Sequence, residues 1–100
     1  MYCEEIDWSW RIQAAGWRVY AVPSAEIVHY GGESTRQVPT ASVVNLWQSR
    51  AKLYGEMYGR FKLFIARKMV QIAMRYRAKR ATDPQMKQAY ETIIQIWRGI

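Results

Sequence analysis

The helical periodicity of the last sixty residues constrains the fold more than any other feature of the sequence. From Thr40 onward, apolar side chains recur at intervals of three and four residues, which is the spacing of one helix face. Gly59 interrupts this pattern, and Asp83-Pro84 interrupts it again with a pair typical of a helix N-cap and first position. We therefore predict three helices. The first is capped by Thr40 or Ser42 and runs to about Tyr58, the second spans residues 60–81, and the third starts at Asp83.

The N-terminal third begins with another predicted helix. In residues 3–15, apolar residues Ile6, Trp10 and Ala14 follow one another at intervals of four, and Gly16 comes where a helix often ends in the left-handed conformation. Acidic residues fall in the first turn of this helix, where the helix dipole favours negative charge.

Two short strands are predicted next. Residues 17–22 and 25–30 alternate apolar with other side chains, and Pro23 separates them. His29, the only histidine, shares a face of the second strand with Ala25 and Ile27. The sequence thus predicts a mostly helical α+β fold, with one helix, two short strands and three C-terminal helices.

Charge divides the chain into two regions. Residues 1–35 contain two Lys or Arg and five Asp or Glu, whereas residues 36–100 contain thirteen and three. We therefore assign residues 1–39 and 40–100 to different roles. A single Cys excludes an internal disulfide framework, and the sequence shows neither a signal peptide nor an apolar run of about 20 residues. These features predict a cytoplasmic location.

The acidic cluster at the start of the chain has two interpretations. Glu4, Glu5 and Asp7 precede Arg11, and Asp7 and Arg11 are four residues apart, a spacing that allows a salt bridge on one helix face. Spacing alone favours a helix-capping and salt-bridging cluster over an active site. A single histidine in a strand is likewise more often structural than a metal ligand.

A longer motif favours catalysis. It begins with an acid pair, an Asp two positions after the pair and an Arg four positions after that Asp. An aromatic segment, a proline and a His-x-x-Gly-x-Ser sequence follow. This pattern resembles the C-terminal catalytic segment of family 2 inverting glycosyltransferases, particularly the rhamnosyltransferase-like branch, which has the GT-A fold. The matching residues are Glu4, Glu5, Asp7, Arg11, His29, Gly32 and Ser34.

The resemblance implies a role for each matched residue. Glu5 would be the general base that deprotonates the acceptor hydroxyl, and Glu4 would hold the acceptor. Because the family usually has Asp where this chain has Glu5, the two roles can be exchanged. The remaining substrate-binding residues would be Asp7, Trp8, Arg11 and Ser34.

The resemblance also implies cofactors and partners. His29 would complete the coordination of Mg²⁺ or Mn²⁺ at the diphosphate leaving group. The partners would be a nucleotide-sugar donor and a glycan or lipid-linked acceptor in surface polysaccharide synthesis. The family's N-terminal nucleotide-binding sheet and Asp-x-Asp motif do not occur in the sequence. We therefore expect a fragment that is inactive alone and that self-associates through apolar side chains that lack a sheet partner.

The predicted helix over residues 60–81 leaves three alternatives. Eight Lys or Arg and no acid lie between Met57 and Thr82. An apolar row at helical spacing accompanies them, formed by Phe61, Ile65, Met69, Ile72 and Tyr76. A helix packed through this row, with a solvated basic face, is one alternative, and peripheral binding to an anionic membrane at its cytoplasmic face is another. Nucleic-acid binding is less favoured because no base-reading motif occurs. A noncatalytic basic helical module is therefore the competing function.

Overall fold

A computed structural model describes residues 3–28 and 39–100, which contain four helices. In chain order these are α1 (Glu4–Ala14), α2 (Pro39–Met57), α3 (Arg60–Arg80) and α4 (Pro84–Ile96). The predicted helical periodicity is confirmed in all four helices. Their ends agree with the predicted ends to about one residue, except that α2 begins at Pro39, before the predicted caps Thr40 and Ser42. Within the described residues, no helix is both long and apolar enough to cross a bilayer.

The predicted strands are wrong for the residues that the structure describes, and the fold of those residues is all-helical rather than α+β. Residues 17–28 contain no strand, while positions 29 and 30 of the second predicted strand lie outside the described residues. The Ala25 N–H donates to the Val22 carbonyl at 3.1 Å in a tight turn. A two-stranded ribbon without a packing layer is only marginally stable. Alternation alone is therefore not enough to form strands here.

The helix ends follow the predicted local chemistry. Gly16 has φ of +87° after α1, a left-handed conformation that is strained for residues with a Cβ. At the start of α4, Asp83 Oδ1 accepts a hydrogen bond from the Gln85 N–H at 2.9 Å, and Pro84 occupies the first helical position. Each of these signals depends only on neighbouring residues, which is why the sequence predicted them correctly.

The hydrophobic core forms where α4 packs against both α2 and α3. Its fully or nearly fully buried side chains are Ala51, Met74, Ile93, Ile94 and Trp97. Trp97 follows α4 directly and is only 1% exposed. Its Nε1–H donates to the Trp47 carbonyl on α2 at 3.1 Å, and the two indoles meet edge to face with ring centroids 6.1 Å apart. One side chain thus joins two of the helices by packing and by a hydrogen bond.

Replacement of Trp97 by Ala is expected to lower the free energy of unfolding by about 3–5 kcal/mol, because it leaves a cavity and an unpaired carbonyl in the core. Urea titration followed by circular dichroism measures this loss. Trp8 is 69% exposed and provides the matched control. Trp8→Ala should change the free energy of unfolding by less than about 0.5 kcal/mol, and equal effects of the two substitutions would contradict this assignment of the core.

Candidate functional site

The first part of the predicted catalytic motif, from Glu4 to Arg11, lies on α1, a helix with no buried residue. Because successive residues are about 100° apart around a helix, Glu4, Asp7 and Arg11 share one side of α1. Glu5 is turned about 100° away from Glu4. Trp8 lies close to the first group and is 69% exposed. Five of the predicted site residues therefore lie on one accessible helix, although they do not all share a face.

Asp7 and Arg11 form the ion pair that their spacing predicted. Arg11 Nε donates to both Asp7 carboxylate oxygens, at 2.9 Å and 3.1 Å. This hydrogen bond and the charge of Asp7 are the main causes that raise the pKa of the Arg11 guanidinium, with a smaller contribution from Glu56. Arg11 therefore stays charged and is held in a fixed direction along the helix.

Arg11 also connects α1 to α2. Its Nη2 lies 3.5 Å from Oε2 of Glu56, near the end of α2. Both side chains are substantially exposed, so this contact is screened by salt. Sequence reasoning missed Glu56 as a member of this cluster because the contact joins residues 45 positions apart.

A cleft of about 160 Å³ lies between α1 and α2. Its lining residues are Cys3, Glu4 and Asp7, together with Ser49, Lys52, Leu53 and Glu56. Three carboxylates, one ammonium and one hydroxyl therefore surround a small space. The four residues from α2 follow one another at intervals of three, one and three, which places them on a single helix face. This helical spacing is the sequence signal from which the α2 side of the cleft could have been predicted.

The cleft contains some of the predicted site residues and not others. Glu4 and Asp7 line it, whereas Glu5 does not. Ser34 and His29 lie outside the described residues, so their predicted roles are not tested. Among residues 3–28 and 39–100, no cluster of three His, Cys, Asp or Glu side chains could hold a metal ion. The described residues therefore offer carboxylate chemistry without a metal-binding set.

Exposed apolar side chains continue beyond the cleft. Ile6 and Trp10 on α1 are 53% and 40% exposed, and Trp17 is 74% exposed. This exposure was predicted for a segment without a sheet partner. In residues 17–28, further exposed apolar side chains are Val19, Tyr20, Val22, Ile27 and Val28. Self-association through this surface stays a prediction.

A second accessible surface lies on α3. We call its apolar row the outer stripe, and it consists of Phe61, Ile65, Met69, Ile72 and Tyr76, which are 43–76% exposed. The packed-helix alternative placed this row against the core, and that placement is wrong. α3 packs instead through a row that includes Val70, Met74 and Ala78.

Comparison with known proteins gave no match: no family model, curated protein or solved structure is significantly similar to this chain.

Replacement of Arg11 by Met is expected to release α1 from α2, because α1 buries no side chain and a helix of this length is marginal by itself. Amide hydrogen exchange should accelerate in residues 4–14 and stay slow in α4. Added NaCl should produce part of the same effect in the unsubstituted protein. Arg18→Met is the control, because Arg18 donates to the Tyr20 hydroxyl in its own segment. Unchanged exchange in α1 would show that Arg11 does not hold it.

Proposed function

We propose that this chain supplies the acceptor-side segment of a nucleotide-sugar-dependent inverting glycosyltransferase. The observation that carries the proposal is the arrangement on α1, where Glu4 and Asp7 line a cleft and Arg11 fixes Asp7. The motif that resembles family 2 glycosyltransferases supports the same assignment. A cleft rich in carboxylates suits the binding of sugar hydroxyl groups, which donate hydrogen bonds to such oxygens.

The size of the cleft suits the acceptor rather than the donor. Ligand pockets for drug-sized molecules are about 300–1,000 Å³, and this cleft is smaller, at about 160 Å³. A single sugar ring is therefore a better match than a nucleotide sugar. In this proposal Glu4 and Asp7 hold the acceptor, and Glu56 and Lys52 on α2 form the opposite wall.

The proposed reaction is a single displacement. The acceptor hydroxyl gives its proton to the Glu5 carboxylate while its oxygen attacks the anomeric carbon of the donor. The bond from that carbon to the nucleotide diphosphate breaks on the opposite side, so the configuration inverts. Glu5 lies beside Glu4 at the start of α1 and is exposed, so its carboxylate is accessible to an acceptor hydroxyl at the edge of the cleft. The proton stays on the carboxyl group until solvent removes it.

The donor side of the reaction requires residues other than those described. The resemblance implies Mg²⁺ or Mn²⁺ against the diphosphate, with His29 as a ligand. No three-donor cluster lies within residues 3–28 and 39–100, so we assign no step to a metal. We propose that a nucleotide-binding sheet packs against the exposed apolar side chains of residues 17–28, such as Tyr20 and Ile27, which are 72% and 88% exposed.

The competing function is a noncatalytic basic helical module. The outer stripe of α3 favours this alternative, because it presents apolar side chains beside many cations. The two functions make different demands on α1. A module that only binds a membrane has no need of the carboxyl groups of Glu4 and Glu5, whereas a transferase depends on at least one of them.

Replacement of Glu5 by Gln is expected to reduce sugar transfer about 10²- to 10⁴-fold, because the amide keeps the side-chain shape but cannot accept the acceptor proton. Transfer is measured from labelled nucleotide sugars to glycan and lipid-linked acceptors, with the intact native polypeptide that carries these residues. The isolated 100-residue chain should show no transfer, because positioning of the donor supplies much of the rate.

Glu91→Gln is the matched control, since Glu91 is an exposed acid on α4, away from the cleft. It should leave the rate unchanged. A larger loss from Glu4→Gln than from Glu5→Gln would exchange the two roles. Two results would contradict the proposed function. One is full transfer activity after both Glu4 and Glu5 are replaced. The other is no transfer from any nucleotide sugar by the unsubstituted native polypeptide.

A further inference from the structure

The exposed face of α3 has the construction of a surface-binding helix. Ile72 is 66% exposed, whereas Met74, two residues later and therefore about 200° around the helix, is 1% exposed. The helix thus has two apolar rows on opposite sides, and α4 covers only one of them. Between Phe61 and Tyr76 the outer stripe extends for about 22 Å at 1.5 Å per residue.

Cations border the outer stripe along both edges. At about 100° per residue, Lys68, Arg75 and Lys79 fall on one edge, and Lys62 and Arg80 fall on the other. No Asp or Glu occurs between Met57 and Thr82. A surface in contact with this face therefore meets apolar side chains in the middle and positive charge on both sides.

Two of these cations lie against aromatic rings of the exposed surface. The Arg80 Cζ is 4.5 Å from the centroid of Tyr76, and the Lys68 Nζ is 5.5 Å from that of Phe64. Both rings stay about half exposed, at 56% and 48%. Positive charge is thus held at the level where the apolar surface ends, which is where the headgroups of a lipid layer would lie.

We propose that the outer face of α3 binds in the plane of an anionic lipid surface, with the outer stripe among the acyl chains and the bordering cations at the lipid phosphates. The proposal does not rest on the sugar-transfer activity. It depends on the exposure of the outer stripe and on the charge beside it, both of which are independent of α1.

The observations favour lipid over two other occupants. A second copy of this chain, packed symmetrically on the same face, would bring two rows of cations together without any acid to offset them. A nucleic acid would satisfy the cations, but its phosphates would leave Ile65, Met69 and Ile72 in water. Of these three occupants, the anionic bilayer is the one that complements both the charge and the apolar side chains.

The test is co-sedimentation of the 100-residue chain with vesicles. Vesicles of mixed phosphatidylglycerol and phosphatidylcholine should bind the chain, and vesicles of pure phosphatidylcholine should bind it at least tenfold more weakly. Binding to the anionic vesicles should fall as NaCl is raised, because screening weakens the attraction between the cations and the headgroups. Equal binding to both vesicle types would overturn the proposal.

The apolar contribution is tested by Ile65→Gln together with Ile72→Gln. Both side chains are exposed, and Gln is a good helix former, so circular dichroism should not change. We expect at least tenfold weaker vesicle binding at low salt. Val22→Gln together with Ile27→Gln is the matched control, because it removes exposed apolar side chains outside α3 and should bind as the unsubstituted chain does.

The charge contribution is tested by Lys62→Gln together with Lys68→Gln. Each lost cation should weaken binding about fivefold, so the pair should cost roughly 25-fold. Arg18→Gln together with Lys87→Gln makes the same change of net charge outside α3 and should have little effect. Three results would each overturn the proposal. The first is vesicle binding that depends only on net charge. The others are normal vesicle binding by the Ile65/Ile72 variant and a change from dimer to monomer in that variant.

Discussion

The burial of Trp97 holds α2 against the end of α4. α2 and α3 both pack on α4, and the indole that follows α4 donates its hydrogen bond to a backbone carbonyl of α2. The same ring lies 6.0 Å from Tyr54, centroid to centroid, farther along α2. Fixing the position of α2 also fixes Glu56 and Lys52, the wall of the cleft opposite α1. The geometry of the candidate site therefore depends indirectly on a side chain that does not touch it.

Helical periodicity predicts that a row of apolar residues exists, but not what covers it. On α3 two rows lie on opposite sides, and sequence reasoning identified only the longer one, with packing against the core as one of three alternatives for it. Met74 and Ala78 are in contact with the core instead, and the row with the larger side chains is exposed. The choice between them is made by α4, whose position is a tertiary property. A search for small side chains such as Ala78, which let helices approach closely, would have favoured the correct face.

Sequence signals that involve only nearby residues predicted the structure best. The left-handed Gly16, the Asp83 cap and the Asp7–Arg11 pair all involve residues no more than four positions apart. The strands failed for the opposite reason, since a strand needs a partner that the described residues do not supply. The cleft was predicted on its α1 side only, because Glu56 reaches Arg11 across 45 positions of sequence.

The late position of the core residues in the chain has a consequence for folding during synthesis. α2 and α3 leave the ribosome before Ile93, Ile94 and Trp97, and they pack mainly on the helix that carries those residues. Until α4 emerges, α3 exposes both of its apolar rows, a state that favours aggregation or chaperone binding. An early contact of the basic face with a lipid surface would shield one of these rows. The nascent α3 would then have only its core-facing row exposed until α4 is synthesised.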